Sequence, residues 1–547
     1  MAALPVFGKQ SIKMIFKKLT LRLNKIILST LAIVLGGALL FSSGEAATAK
    51  KTKAAKTTKR RQSVVYMPKP TGDIQDDLDK LFDQKLPRLG RWGIAVMDLE
   101  SGDIIYQHNS QGKFIPASNA KLFTTAAALE QLGPNYSYQT EIFALGEIDS
   151  FGVLHGDLII KGSGDPTISE LALLEEWADS LKSQGITAVE GDVIGDEGNF
   201  VPEKIVSMVP RATNKMVKSK KRMAWQISGL SYRDNLVAVT ISGGQLGKPL
   251  RVSTDPPMAV KIKNLSRTIK GSSSTVTRQV KDKSGKMVSK TRKVYNVGKA
   301  YASFDGEALK ITGTLAQGSS KRFLFVAKDP QGHFARVFTA VLKDKGITVS
   351  GQGLALTDKP LALKRQAELI YANYSSPLSE IIKVINKSSH NLYAEALLNT
   401  IGSEMGGEGS RQQGSISERV ITEKMGLGTI DLYDGCGLSR LNTVSPQQVV
   451  NLLKFMSNQP YWEDFYNSLA IGGIDGTLTS RLSGPKVSGR VYAKTGSIGG
   501  VSALSGYLTA NNGKMFAFSI MVNNIYRAKL ARRIEDYICQ MLVEYLG

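Results

Sequence analysis

Three short runs hold side chains whose types and spacing could do chemistry on a carbonyl. Ser118-Asn119-Ala120-Lys121 sets a hydroxyl and an amine three residues apart, at the mouth of an Ala-rich helical run. On a helix those two positions share a face, so the amine can reach the hydroxyl. A serine is a poor nucleophile until a neighbouring base takes its proton, and a neutral lysine can be that base. The start of a helix also offers free backbone N–H groups and a positive dipole end, both suited to a developing oxyanion. Ser389-His390-Asn391 opens a second helical run, Leu392 to Leu398. It supplies a hydroxyl for proton relay and an amide that can bond a lysine or a substrate carbonyl. Lys494-Thr495-Gly496 ends a strand run and is followed by Ser497 and a Gly499-Gly500 turn. A lysine and a hydroxyl on an edge strand, with a glycine permitting close backbone approach, make a cradle for a substrate carboxylate.

Each run by itself also reads as a cap or a turn; the three in this order point to one site. Ser483-Gly484-Pro485-Lys486 repeats the first spacing, but Gly-Pro cannot sit inside a helix. The sequence has no G-x-S-x-G elbow, H-E-x-x-H, C-x-x-C or phosphate-binding G-x-x-x-x-G-K-[ST]. Four histidines, His108, His155, His333 and His390, argue against a metal site of several imidazoles, and neither metal nor cofactor is expected. Two cysteines, Cys436 and Cys539, are too few for a disulfide framework. One bridge and two buried small residues both remain open.

The elements that must position these runs follow from length and composition. At roughly 150 residues per domain, 547 residues make about three or four domains. A content of 42% hydrophobic and 21% charged residues excludes global disorder and a multi-span membrane protein. The net charge of +23 is concentrated: residues 1–61 carry +12 and residues 251–299 carry +11, leaving the rest neutral. Nothing in this distribution suggests nucleic-acid recognition. At the N-terminus a basic stretch, Lys9 to Lys25, precedes sixteen mostly apolar residues, Ile26 to Phe41, and Ala47-Thr48-Ala49 fits a cleavage site. Such a run reaches about 24 Å as a helix, short of a roughly 30 Å hydrocarbon core. Residues 1–49 therefore read as an export signal, with an uncleaved anchor as the alternative. The body is expected outside the cytoplasm, in the periplasm or on the outer face of the cytoplasmic membrane.

Residues 50–73 read as a basic linker, and folding starts near Ile74. Trp92–Leu99 and Ile104–His108 form a predicted hairpin, and Lys121–Leu132 a helix closed by Gly133-Pro134. From about 140 to 360 the pattern is β-rich, and 262–300 reads as an exposed hairpin or a disordered loop. Helical patterning returns at 376–402 and 446–456. Strand runs Arg490–Ala493, Val501–Thr509 and Met515–Asn523 precede a last helix over Arg527–Tyr545. The expectation is an α/β domain split by a large insertion.

The three motifs resemble the set found in penicillin-binding proteins and class A β-lactamases, with His390 where the middle motif has Asp. The chain over 74–547 is most similar to the class C low-molecular-mass penicillin-binding proteins, which are D-Ala-D-Ala carboxypeptidases/endopeptidases. Gly162-Ser163-Gly164-Asp165-Pro166, Gly191 to Asp196, Gly229 to Asn235 and Asp434 to Arg440 extend the likeness, and the 271 residues between Ser118 and Ser389 match the family's inserted domains. The resemblance implies a transpeptidase-like domain, an antiparallel sheet flanked by helices, over 74–140 and 362–547. Its insertion would comprise one domain over 141–240 and 321–361 and a basic subdomain over 241–320. By the same resemblance Ser118 would be the acylated nucleophile, Lys121 its base, and Ser389 and Asn391 the proton relay. Lys494, Thr495, Gly496 and Ser497 would bind the substrate carboxylate and complete an oxyanion hole. Asp196 would reach from the insertion to the side-chain amine of a diaminopimelate residue, with Arg440 on the same wall. Cys436, where the family usually has Ser, and Gly499, where it often has a longer polar residue, are departures. Implied partners are peptidoglycan stem peptides and, as inhibitors, β-lactams; the basic stretches would contact anionic membrane or wall polymers. Rival readings are a serine β-lactamase and a wall-binding protein with a vestigial site.

Overall fold

Six antiparallel strands make the sheet on which the site is built. Their order is Ile104–His108, Arg91–Asp98, Met515–Asn523, Val501–Thr509, Val491–Ile498 and Ala470–Ile471. The computed structural model describes residues 70–546 apart from 87, 209–221, 258–259, 283–284, 305–307 and 359–366. The expected export segment and nearly all of the basic linker lie outside the described residues. Val501–Thr509 is buried at every position but its last, because helices cover both faces of the sheet. That double cover is why its apolar run is continuous rather than alternating.

The helix Ala120–Leu132 runs through the core and is buried without a break from Ala120 to Leu129. A helix apolar on all sides belongs in an interior. Its alanines let the helices Leu378–Ser388, Asn391–Glu404 and Arg411–Lys424 pack against it. Gly133, with φ +78°, ends it.

The chain leaves this domain at Tyr138 and returns at Ser375, whose N–H donates to the Tyr138 carbonyl over 2.9 Å. The insertion begins with a mixed sheet in which Gln139–Ile148 lies between Val153–Lys161 and Ala367–Tyr374. The expected return at 362 is therefore too early, since Ala367–Tyr374 is hydrogen-bonded to the insertion's own strand. Two helices, Leu171–Ser183 and Pro330–Asp344, pack Trp177, Phe334 and Phe338 into its core, within a span expected to be mainly strands. A further subdomain has two three-stranded sheets, and its first and last strands in chain order, Leu236–Ser242 and Ser320–Val326, straddle the expected limits of 241 and 320. The basic stretch is a hairpin, Ser272–Lys281 against Met287–Asn296, paired along its length and exposed over most of it.

Candidate active site

Local backbone geometry lifts Ser118 out of the core. Ala117 has φ +48°, and a single 3-10 turn, Ala117–Asn119, leads into the buried helix. Asn119 Nδ2 donates to Ser505 Oγ (2.7 Å), tying the turn to the central sheet. Gly437, at φ +82°, passes so close that a β-carbon there would lie 1.8 Å from the Ala117 carbonyl oxygen. Only glycine fits.

Lys121, one helical turn further on, is sealed from solvent. Its Nζ lies 3.2 Å from Ser118 Oγ, 2.7 Å from Asn391 Oδ1 and 2.6 Å from the Cys436 carbonyl oxygen. Burial holds the amine below its ordinary pKa, against an opposing pull from Cys436, Asp434 and Glu395. Cys436 thus contributes its backbone, and the departure from serine leaves that contact intact. Both cysteines are free and buried.

The second motif occupies the junction of two helices. Ser389 is left-handed (φ +60°) and ends Leu378–Ser388, and His390 caps Asn391–Glu404. This reversal sends Ser389 and Asn391 into the same cleft as Ser118. His390 is turned toward the insertion, its Nε2 3.4 Å from Asp234 Oδ1. The third motif lies on Val491–Ile498, where strand pairing on the outer side stops at Ala493. Lys494 is buried, and its Nζ donates to the Thr495 carbonyl (3.0 Å). Thr495 Oγ1 and Thr477 Oγ1 are 2.8 Å apart. A β-carbon on Gly496 would come within 2.6 Å of the Pro116 carbonyl oxygen and 3.2 Å of the Ser118 nitrogen, so strand and nucleophile turn are in contact.

A buried acidic group holds the loop that supplies the Cys436 carbonyl. Asp434 accepts from the N–H groups of Gly437 and Ser439 and from Asn442 Nδ2. Glu395 accepts from the Cys436 N–H (2.9 Å) and pairs with Arg411. These carboxylates are occupied in bracing the loop. In the sequence Asp434-Gly435-Cys436-Gly437 is no more than a motif, and nothing in it signals a backbone acceptor for Lys121.

The Asp196 carboxylate is buried and accepts from the Gly198 N–H (2.9 Å). The residues after it clamp the insertion onto the catalytic domain: Asn199 Nδ2 donates to Ser403 Oγ and the Gly407 carbonyl. Arg440 donates to the Gly499 carbonyl, so it fixes the turn after the third motif, at the cleft's rim.

The sequence and the fold have counterparts among known proteins. The D-alanyl-D-alanine carboxypeptidase of Actinomadura sp. (strain R39) is 30% identical over 485 residues, 87% of this chain and 85% of the relative. The D-alanyl-D-alanine carboxypeptidase DacB of Haemophilus influenzae is 27% identical over 446 residues, 80% of this chain and 87% of that protein. The crystal structure of penicillin binding protein 4 (dacB) from Haemophilus influenzae superposes with a TM-score of 0.65 at 23% identity, covering 86% of this chain and all of that one. The same protein complexed with a β-lactam gives 0.62 at 22% identity, over 85% of this chain and 100% of that one. With residues 74–545 matching its description, the chain belongs to the D-Ala-D-Ala carboxypeptidase 3 (S13) family of serine peptidases.

Proposed function

We propose that this carboxypeptidase works through an acyl-enzyme on Ser118, with Lys121 as the base. The observation that carries the reading is the set of partners around Lys121. A neutral amine has two N–H groups and one lone pair. Asn391 Oδ1 and the Cys436 carbonyl take the two hydrogens, which leaves the lone pair for the Ser118 hydroxyl. Ser118 Oγ then bonds to the carbonyl carbon of the penultimate D-alanine. The C–N bond breaks, and the leaving amine takes the proton that Lys121 received, relayed by Ser389. Water repeats the sequence to release the acid. Thr495 and Ser497 receive the substrate carboxylate, Lys494 lends positive potential beneath them, and the N–H groups of Ser118 and Ser497 stabilise the oxyanion.

The substrates are peptidoglycan stem peptides, cut at D-Ala-D-Ala and at D-Ala-diaminopimelate cross-links, and β-lactams acylate the same serine. A relative solved with a β-lactam supports the last point. The enzyme acts after export, in the periplasm or on the outer face of the cytoplasmic membrane. Its exposed basic hairpin keeps it near anionic lipid or wall polymers.

Labelling with a fluorescent penicillin, alongside mass analysis of pentapeptide products, tests the assignment. Ser118→Ala is expected to lose both the adduct and the products. Lys121→Ala should slow acylation by about 10²–10⁴-fold, the usual worth of a positioned base. A Ser118→Ala protein that still labels would move the nucleophile elsewhere.

A further inference from the structure

The cleft beside Ser118, about 1000 Å³, has a cationic wall that the acyl transfer itself does not use. Lys529, Arg532 and Arg533 line it, and all three come from the opening turns of the helix Ala528–Tyr545. The spacing 529, 532, 533, 536 places them on one helix face with Asp536. Asp536 is already held by Arg481, at 2.7 Å and 2.9 Å. Lys529, Arg532 and Arg533 are exposed, and among the described residues no ion pair joins any of them to a carboxylate. The first turn of this helix contains no acid. Helix energetics favour acids at that end, so the cations sit there at some cost to the helix.

Their position relates them to the substrate. Arg532 Nη2 lies 3.4 Å from Ser497 Oγ, directly beyond the third motif. In the proposed reaction Thr495 and Ser497 hold the carboxylate of the departing residue, so the wall begins where that residue ends. A single departing D-alanine brings one carboxylate and needs nothing further. A departing cross-linked peptide is larger and carries additional carboxylates on its glutamate and its terminal alanine.

We infer that Lys529, Arg532 and Arg533 form a cationic subsite that binds the carboxylates of a long departing peptide. The inference rests on the reading above, that the chain cuts cross-links as well as terminal D-Ala-D-Ala. The subsite makes this an enzyme whose preference between the two substrates is set by charge on the C-terminal helix. Exposed cations are screened by salt, so the preference is also dependent on ionic strength.

The test compares kcat/KM for a monomeric pentapeptide muropeptide and a cross-linked dimer. The proteins are the full chain, its Lys529→Ala/Arg533→Ala variant and the charge-keeping Lys529→Arg/Arg533→Lys variant. Arg532 is left in place because it approaches Ser497. The expected result is a dimer-to-pentapeptide ratio that falls about tenfold in the alanine variant and is restored in the charge-keeping one. Raising salt should depress the dimer's kcat/KM more steeply in the wild type than in the alanine variant. An unchanged ratio, or a loss that charge does not restore, overturns the subsite while leaving the acyl-enzyme intact. A wild type that cuts only the pentapeptide removes the cross-link half of the proposed reaction, and this subsite with it.

Discussion

Around Ser118, function depends on a few backbone approaches that tolerate no extra atom. Besides Gly437, Gly496 is such a case, because the atom a side chain would meet first is a backbone oxygen, Pro116 O at 2.6 Å, which cannot rotate away. Gly496→Ala should displace the nucleophile turn and slow penicillin acylation by about 10²-fold, since a misplacement near 1 Å costs that much. Thermal unfolding should change little, because the contact lies at the edge of the core; a large drop in Tm would mean the sheet itself depends on this glycine. The three motifs were legible because each compresses its geometry into three or four consecutive residues. Lys121's third partner was not, since a carbonyl 315 residues along the chain leaves no trace in residue type. The five residues after Asp196 bend back to Ser403, Gly407 and Gly409, contacts more than 200 residues along the chain that residue type does not signal.

Among the elements, the helix Arg411–Lys424 carries a buried carboxyl group toward the nucleophile helix. Glu418 is fully buried, accepts from Thr124 Oγ1 (2.8 Å), and is pushed by burial up to about 8. A carboxyl raised this way favours the folded state in its protonated form. Its contribution is complete below the ordinary value of 4.5 and is lost progressively as pH rises toward 8. Glu418→Gln keeps the shape without the titration. The Tm difference between variant and wild type should therefore shift in the variant's favour from pH 5 to pH 8, by differential scanning calorimetry. A constant difference would mean that Glu418 ionises alike in both states. Elements with a strong period or clear stops, such as Ala120–Leu132 and the strands Val501–Thr509 and Met515–Asn523, are legible in the sequence, whereas Val491–Ile498 runs on through the Lys494-Thr495-Gly496 motif beyond the expected end at Ala493. The helix Pro330–Asp344 carried its own signal, an Asp329 cap followed by Pro at the first position, but a run of neighbouring strands masked it. The strand Ala367–Tyr374 belongs to the insertion only through its pairing with residues more than 200 positions earlier.

At the scale of the whole molecule, the basic hairpin stands apart from the chemistry. Arg278 is paired with Lys290, and Arg292 with Val276, so the three cations fall on one face of the ribbon. Replacing all three with Gln should weaken binding to anionic vesicles or isolated sacculi severalfold and flatten its salt dependence. Turnover of a soluble pentapeptide should stay as it was. Binding that ignores salt in the wild type would remove the electrostatic role. The insertion that carries the hairpin is itself attached in an economical way. Residues 139–374 depart and return through neighbouring strands, with Tyr138 and Ser375 already joined by a backbone hydrogen bond. Seen from the catalytic sheet, those residues amount to one closed turn. Lengthening or rebuilding them costs the catalytic domain almost no loop entropy, which grows only with the logarithm of length. The doorway between Tyr138 and Ser375 is thus the covalent seam of the insertion, and what an exchanged insertion would have to rebuild is the clamp from Asn199 to Ser403 and Gly407 rather than the chain path itself.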